Sequence, residues 1–213
     1  MEKFLPRFAP LRQLLVPDGL FVDVGANIGL WTLTAAQALG EHGKVIAFEP
    51  NPATFIKLTE NISLNGFEHR VQTHQVALSD SRGSISFICR PDHNNSRIAV
   101  PGEKDTISIP TAPLADFVGE AKVAGMKIDV EGYELPVLQA ARPVLEMSFP
   151  WRVGEFNTLA AGTDRLGDWP VFQFLKGLGY GAFLMEDRHF ERELVEDNSF
   201  KGYLNILFHK SIL

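Results

Sequence analysis

A chain of 213 residues with 20 basic against 26 acidic side chains carries a net charge of −6, and its lysines and arginines are scattered, so no electrostatic surface for nucleic acid or an anionic membrane is expected. The lone cysteine, Cys89, excludes an internal disulfide, and a bridge-free chain of this size suits a reducing, cytoplasmic compartment. The length predicts one domain over 1–213 with a modest insertion, and small neutral or polar partners.

Along the chain, Pro6, Pro10 and Pro17 interrupt each early apolar run among Lys3, Arg7 and Arg12, which reads as neither a secretion signal nor a spanning helix. A short helix is expected over 8–16. "GLFVDVG" then reads as a buried parallel strand, and 28–39 as a helix closed by Gly40. The next unit repeats that logic. "GKVIAFE" (43–49) is a second buried strand, Asn51 can cap a helix whose first residue is Pro52, and the helical face over 54–64 stops at Asn65-Gly66. A third strand is expected over 69–78. Strand, helix, strand, helix, strand opens a doubly wound parallel sheet, whose ligands sit at the carboxyl ends of the strands.

Residues 79–111 change character, because "GSISFICR" and "DTISIP" alternate like hairpin strands around the polar tip "PDHNNSR". An inserted hairpin over the site is the expectation. The α/β pattern resumes with a helix over 114–120, a strand over 125–130, a helix over 135–145 and a strand over 152–156. "NTLAAGTDRLGDW" (157–169) is expected to be a lid. A helix over 171–178, a strand at "YGAFLM", the charged connection "EDRHFERELVEDNS" and a strand at "GYLNILFHK" complete the chain. Two late strands without a crossover helix imply an antiparallel addition to the sheet edge.

The first strand–helix turn, "FVDVGANIGLWT", is the densest local signal. A dinucleotide turn wants G-x-G-x-x-G, its second glycine admitting the pyrophosphate, and here that position is Asn27. The spacing is instead Gly25-x-x-x-Gly29, an open turn that suits a ligand with an anionic end and no pyrophosphate. Glu49 follows Gly29 by 20 residues and ends the second strand, where a carboxylate can accept from both ribose hydroxyls. Ribose without pyrophosphate points to S-adenosylmethionine and away from a nicotinamide-dependent dehydrogenase.

"FVDVGANIG", "VIAFEPNP", "ENISLNG", "VALSD" and "MKIDVEGYELPVLQAARPVL", in that order, resemble the FkbM-type S-adenosylmethionine-dependent methyltransferases over 20–145, and more loosely over 174–210. The resemblance implies a doubly wound, Rossmann-like class I methyltransferase fold, with a mostly parallel seven-stranded sheet and an antiparallel last strand. It also implies that Asp23, Gly25, Asn27 and Gly29 line the methionine half of the cofactor. Pro50-Asn51-Pro52 reads as a rigid cap that aims Glu49, while Asn61 and Asn65 read as structural. Ala77 and Leu78 are expected to flank the adenine, with Ser79 or Asp80 reaching its amino group.

Asp129 and Glu131, at and beyond the end of a strand neighbouring the first, are expected to face the cleft. Asp129 is the candidate for holding the ammonium or sulfonium end, and Glu131 for positioning the acceptor or acting as general base, with His93 at the hairpin tip as the competing base. The six histidines show no metal-binding spacing, so no metal is expected, although an oxygen-only Mg²⁺ site at Asp129 stays open. The expected activity is O-methylation of a hydroxyl on a small molecule or saccharide. A nitrogen acceptor, or a cofactor-binding module without catalysis, is the alternative. The hairpin tip and 147–170 depart from the family pattern and are expected to contact the acceptor; a homodimer is admitted.

Overall fold

The computed structural model describes residues 14–90, 96–148, 150–185 and 190–210. The helix expected over 8–16 falls largely outside them, and His93 lies outside them entirely. Strand β1 (Leu20–Val24) leads through α1 (Leu30–Ala38) to β2 (Lys44–Phe48), and α2 (Pro52–Leu64) carries the chain on to β3 (Val71–His74). The start of α2 has its expected cap: the Asn51 side chain accepts from the Ala53 amide at 3.0 Å, and Pro52 has no N–H to leave unpaired.

Four short strands follow, β4 (Ala77–Leu78), β5 (Gly83–Ile88), β6 (Arg97–Ile98) and β7 (Ile107–Ala112). The short α3 (Ala115–Val118) returns the chain to β8 (Val123–Ile128), and α4 (Glu134–Ala140) and α5 (Arg142–Ser148) precede β9 (Trp151–Asn157). After α6 (Thr158–Ala161) and α7 (Pro170–Gly177), the strands β10 (Gly181–Met185), β11 (Phe190–Leu194) and β12 (Tyr203–His209) complete the described chain.

The main sheet has the order β11-β10-β12-β9-β8-β1-β2-β3. From β9 to β3 the pairs are parallel, whereas β12 is antiparallel to both of its neighbours and β11 is antiparallel to β10. The strand order reverses at β1, which lies between β2 and β8, and this opens a crevice at the carboxyl ends of those strands.

Four expectations need correction. The sheet has eight strands rather than seven, because the charged connection contains β11. At an edge only one face is covered: Leu194 is buried while Glu193 beside it is exposed, so charges on the wet face hide the strand. Strand β12 enters between β9 and β10 instead of adding at the edge. The expected third strand splits, since β4 leaves the main sheet to pair in parallel with β7, and the inserted hairpin is thereby part of a four-stranded sheet, β4-β7-β5-β6. The helix expected over 135–145 breaks between α4 and α5 at Ala141. Pro143 accounts for that break, because it lacks an N–H and its ring clashes with the carbonyl four residues back.

Alternation along β1 sends Val22 and Val24 to one face, with Ile46, Met126 and Leu138, and Phe21 to the other, with Val45, Leu58 and Trp151. Both faces are covered, which is why these strands read as apolar runs. A Cβ on Gly125 would lie 2.3 Å from the Trp151 ring, so glycine there lets the indole settle onto Phe21 at 5.6 Å between centroids. The segment expected as a lid is tied down: Leu166 and Trp169 are buried, the Phe200 amide donates to Asp164, and the Thr158 amide donates to Gly202.

Arg152 on β9 is 1% exposed. Its guanidinium sits 3.9 Å from the centre of the Tyr180 ring and donates to the Tyr180 hydroxyl, while Nε and Nη1 have no partner among the described residues. Burial lowers its pKa to about 10, against the opposing pull of the tyrosine. Tyr180→Phe is therefore expected to cost about 1–3 kcal/mol, the penalty for one more unmet donor on a buried cation, read as a lower urea midpoint with an unchanged slope.

Candidate functional site

The turn after β1 is built on left-handed backbone. Gly25 has φ +74°, and a Cβ there would lie 1.9 Å from the Asp129 carbonyl oxygen, so only glycine lets the ends of β1 and β8 meet so closely. The Gly25 and Ala26 amides both donate to the Phe48 carbonyl, at 3.0 and 2.9 Å, joining the turn to the end of β2. Asn27 takes φ 51°, a conformation asparagine tolerates, and its side-chain oxygen accepts from the Ile28 amide at 2.8 Å. Gly29, at φ +96°, caps α1 under Leu58, where a Cβ would stand 2.8 Å from that side chain.

Glu49 faces this turn from the end of β2 and is 6% exposed. One carboxylate oxygen accepts from the Asn27 amide at 2.8 Å and the other from the Asn51 amide at 2.9 Å. Burial raises its pKa, and the two amides offset part of that rise. Each oxygen keeps a lone pair for a further donor. Asn51 links this corner to the small sheet, its side-chain amide donating to Ser96 at 3.1 Å.

Lys127, on β8, is a site residue that sequence reasoning missed. Its buried ammonium donates to the Gly25 carbonyl at 2.6 Å and lies 3.4 Å from Asp129 and 3.7 Å from Asp23. Burial alone would lower its pKa, but Asp129 and Asp23 outweigh it and hold the group charged. Asp23 is wholly buried beneath α1, where it accepts from the Thr32 hydroxyl at 2.6 Å; burial pushes its pKa up, against the pull of Lys127. A lysine inside the apolar strand "GMKIDV" was the signal, since a buried ammonium requires acids nearby.

Two cavities open at this edge. The first is lined by Gly25, Asn27, Glu49 and Asp129 on one side, and by Ala77 and Leu78 on the other. The second shares Asp129 and Glu131 with the first and adds Glu134, Glu155, Asn157 and Trp169. Glu131 sits at φ 52° in the loop after β8. That loop is held by Glu134, one of whose oxygens accepts from the Val130 and Gly132 amides, each at 3.1 Å.

Of the expected site residues, Gly25, Asn27, Glu49, Ala77, Leu78, Asp129 and Glu131 thus line the first cavity. Asp23 and Gly29 stand behind its wall, touching Lys127 and Leu58. Ser79 and Asp80 are turned into their own loop, where Asp80 accepts from Ser79 at 3.3 Å and from Ser81 at 3.0 Å. Among the described residues no group of three His, Cys, Asp or Glu is arranged to hold a metal ion, and no helix is long and apolar enough to cross a membrane. Ser96, Glu134 and Glu155 join the site without having been singled out from sequence. For Glu155, a carboxylate near the end of a buried strand was the same signal that marked Glu49.

Residues 23–180 match the family described as the methyltransferase FkbM domain. Methyltransferase 1 of Beauveria bassiana is 30% identical over 146 residues, 57% of this chain and 58% of that protein. Hexuronic acid methyltransferase AglP of Haloferax volcanii is 35% identical over 131 residues, 61% of this chain and 52% of that protein. The chain thus spans about half the length of the curated relatives it matches. A solved FkbM methyltransferase from Methylobacillus flagellatus superposes with a TM-score of 0.58 at 17% identity, over 92% of this chain and 45% of that one. Precorrin-6y C5,15-methyltransferase from Geobacter metallireducens gives 0.56 at 15% identity, over 97% and 88%. The fold is that of the class I methyltransferases, and with its glycine turn, strand-end carboxylate and matched span of 23–180 this chain belongs to the FkbM methyltransferase family.

Proposed function

We propose that the first cavity binds S-adenosylmethionine and that the second receives a small-molecule or saccharide hydroxyl, which is methylated on oxygen. The observation that carries this reading is the Glu49 carboxylate, held by two backbone amides against the glycine turn and opposite the apolar Ala77 and Leu78. The fit is chemical: spare carboxylate lone pairs suit ribose hydroxyls, an apolar slot suits an adenine ring, and the glycine turn, whose Gly25 and Asn27 line the cavity without bulky side chains between them, suits an amino-acid end. The cofactor supplies an electrophilic methyl group on a cationic sulfur. Saccharide acceptors are favoured by the Haloferax volcanii relative, named for its action on a hexuronic acid.

In this reading the chain supplies alignment and a dry site, because in-line transfer to carbon needs the acceptor oxygen held within near-attack distance. Asp129 borders both cavities and orients the cationic end of the cofactor, its own charge partly answered by Lys127. Glu131 borders both as well and positions the acceptor.

Calorimetry tests the cofactor half of the proposal. S-adenosylhomocysteine is expected to bind and NAD not, and Glu49→Ala is expected to weaken binding by about 1–3 kcal/mol, the scale of hydrogen bonds to a charged group; a wild-type chain that ignores S-adenosylhomocysteine ends the reading. For the acceptor half, labelled methyl transfer into a panel of methyl glycosides is expected to show Glu131→Gln raising KM about tenfold or more with kcat nearly unchanged, since positioning through ground-state contacts is uniform binding. Lys127→Met is expected to leave Asp23 buried without its counter-ion and to cost about 3–5 kcal/mol of stability, measured by denaturant unfolding.

A further inference from the structure

We infer that the Glu155 carboxylate takes the proton of the acceptor hydroxyl during methyl transfer. This assignment rests on the methyl-transfer reading above and adds a residue and a role to it. Glu155 lies near the carboxyl end of β9, and the parallel pairing of Ile128 with Gly154 puts it beside Asp129 at the same edge of the sheet. It lines the second cavity together with Asp129 and Glu131, the two residues that also wall the first. The acceptor oxygen must sit between the cavities to reach the methyl group, so a base is needed on the far side of that oxygen, where Glu155 stands.

The acids of this edge differ in what already claims their oxygens. Both oxygens of Glu49 accept backbone amides, Glu134 holds the loop after β8, and Asp129 faces the Lys127 ammonium. Glu155, half-buried, has no hydrogen bond or ion pair among the described residues, so its lone pairs are open to a ligand's proton. Its surroundings also set its basicity. Burial first, then the charges of Asp129 and Glu131, with a smaller push from Glu134, raise its pKa to about 7, against the lowering pull of Lys127. On its other side β12 presents Asn205, and apart from the four acids no residue of the cavity wall, Asn157 and Trp169 included, titrates. A carboxylate of that basicity is matched to proton transfer near neutral pH, whereas an ordinary surface glutamate is too weak a base.

The step balances. A lone pair on the hydroxyl oxygen forms the bond to the methyl carbon, the carbon–sulfur pair returns to sulfur and cancels its positive charge, and the O–H proton passes to Glu155. The products are a methyl ether, S-adenosylhomocysteine and a protonated Glu155 that releases its proton to water.

The test uses the full chain, labelled S-adenosylmethionine and the methyl glycoside panel between pH 5.5 and 9. Wild-type kcat is expected to rise about tenfold per pH unit up to about 7 and then level, because only the ionised carboxylate accepts a proton. Glu155→Gln is expected to lose about 10²–10⁴-fold in kcat, to lose that acid limb, and to keep its affinity for S-adenosylhomocysteine; Glu155→Asp should restore part of the rate. A second readout needs no acceptor. A carboxyl raised from its ordinary value of 4.5 to about 7 takes up a proton on folding, so its penalty is absent below pH 4.5, grows between the two values and is constant above the higher one. The Tm of Glu155→Gln should therefore match wild type at pH 4.5 and exceed it increasingly up to pH 7. A variant that turns over at the wild-type rate, or a Tm difference that does not change with pH, overturns the assignment while S-adenosylhomocysteine binding leaves the methyltransferase reading standing. Loss of that binding in the wild type overturns both.

Discussion

One buried ammonium holds the site together. Lys127 is 7% exposed at its side chain and has within reach a backbone carbonyl and two carboxylates, those of Gly25, Asp23 and Asp129. These groups belong to the end of β1, the turn after it and the end of β8, the elements that flank the reversal of strand order. Removing a cation from water costs several kcal/mol, so the pairing adds little net stability to the fold. What it fixes is geometry: the Gly25 carbonyl is drawn toward β8, which pins the turn against the end of that strand. Glycine at position 25 is the steric half of the same constraint, because any side chain would collide with the Asp129 carbonyl.

From that junction the acids of the sheet edge fall into different duties. Glu49 and Glu134 serve the backbone, each accepting two amides and stiffening the loop beside it. Asp23 serves Lys127 and Thr32 from beneath the floor of the cavity and never reaches its surface. Asp129, Glu131 and Glu155 line the cavities alongside Glu49 and Glu134. Negative charge gathered in this way, added to burial, makes Glu155 a stronger base than an ordinary glutamate.

The inserted sheet closes the other side. Its β4 strand leaves the main sheet after β3 and presents Ala77 and Leu78 to the cavity, and Ser96 ties the neighbouring strand to the Asn51 cap that also anchors Glu49. The first cavity, the helix cap and the insertion are thereby coupled through a single asparagine. The segment 157–169, by contrast, is packed through Leu166 and Trp169 into the core, and Trp169 contributes a wall to the second cavity. Short turns of its own and tertiary bonds to 196–202 together hold this segment.

The sequence by itself determined the parallel half of the sheet, the glycine turn and the strand-end carboxylate. These are local: apolar runs buried on both faces, Asn51-Pro52 at a helix start, and glycines where φ is positive can all be read within a few residues. Tertiary structure alone decided that Asp23 supports the cavity from behind instead of lining it, since which face of β1 is covered depends on α1 and on Lys127 from a strand about a hundred residues away. It also decided that a charged connection becomes the edge strand β11, that β12 threads between two earlier strands, and that Glu155 meets Asp129 and Glu131. Strand neighbours and the electrostatic surroundings of a carboxylate arise from contacts between distant segments, and no window of residues contains both sides of such a contact.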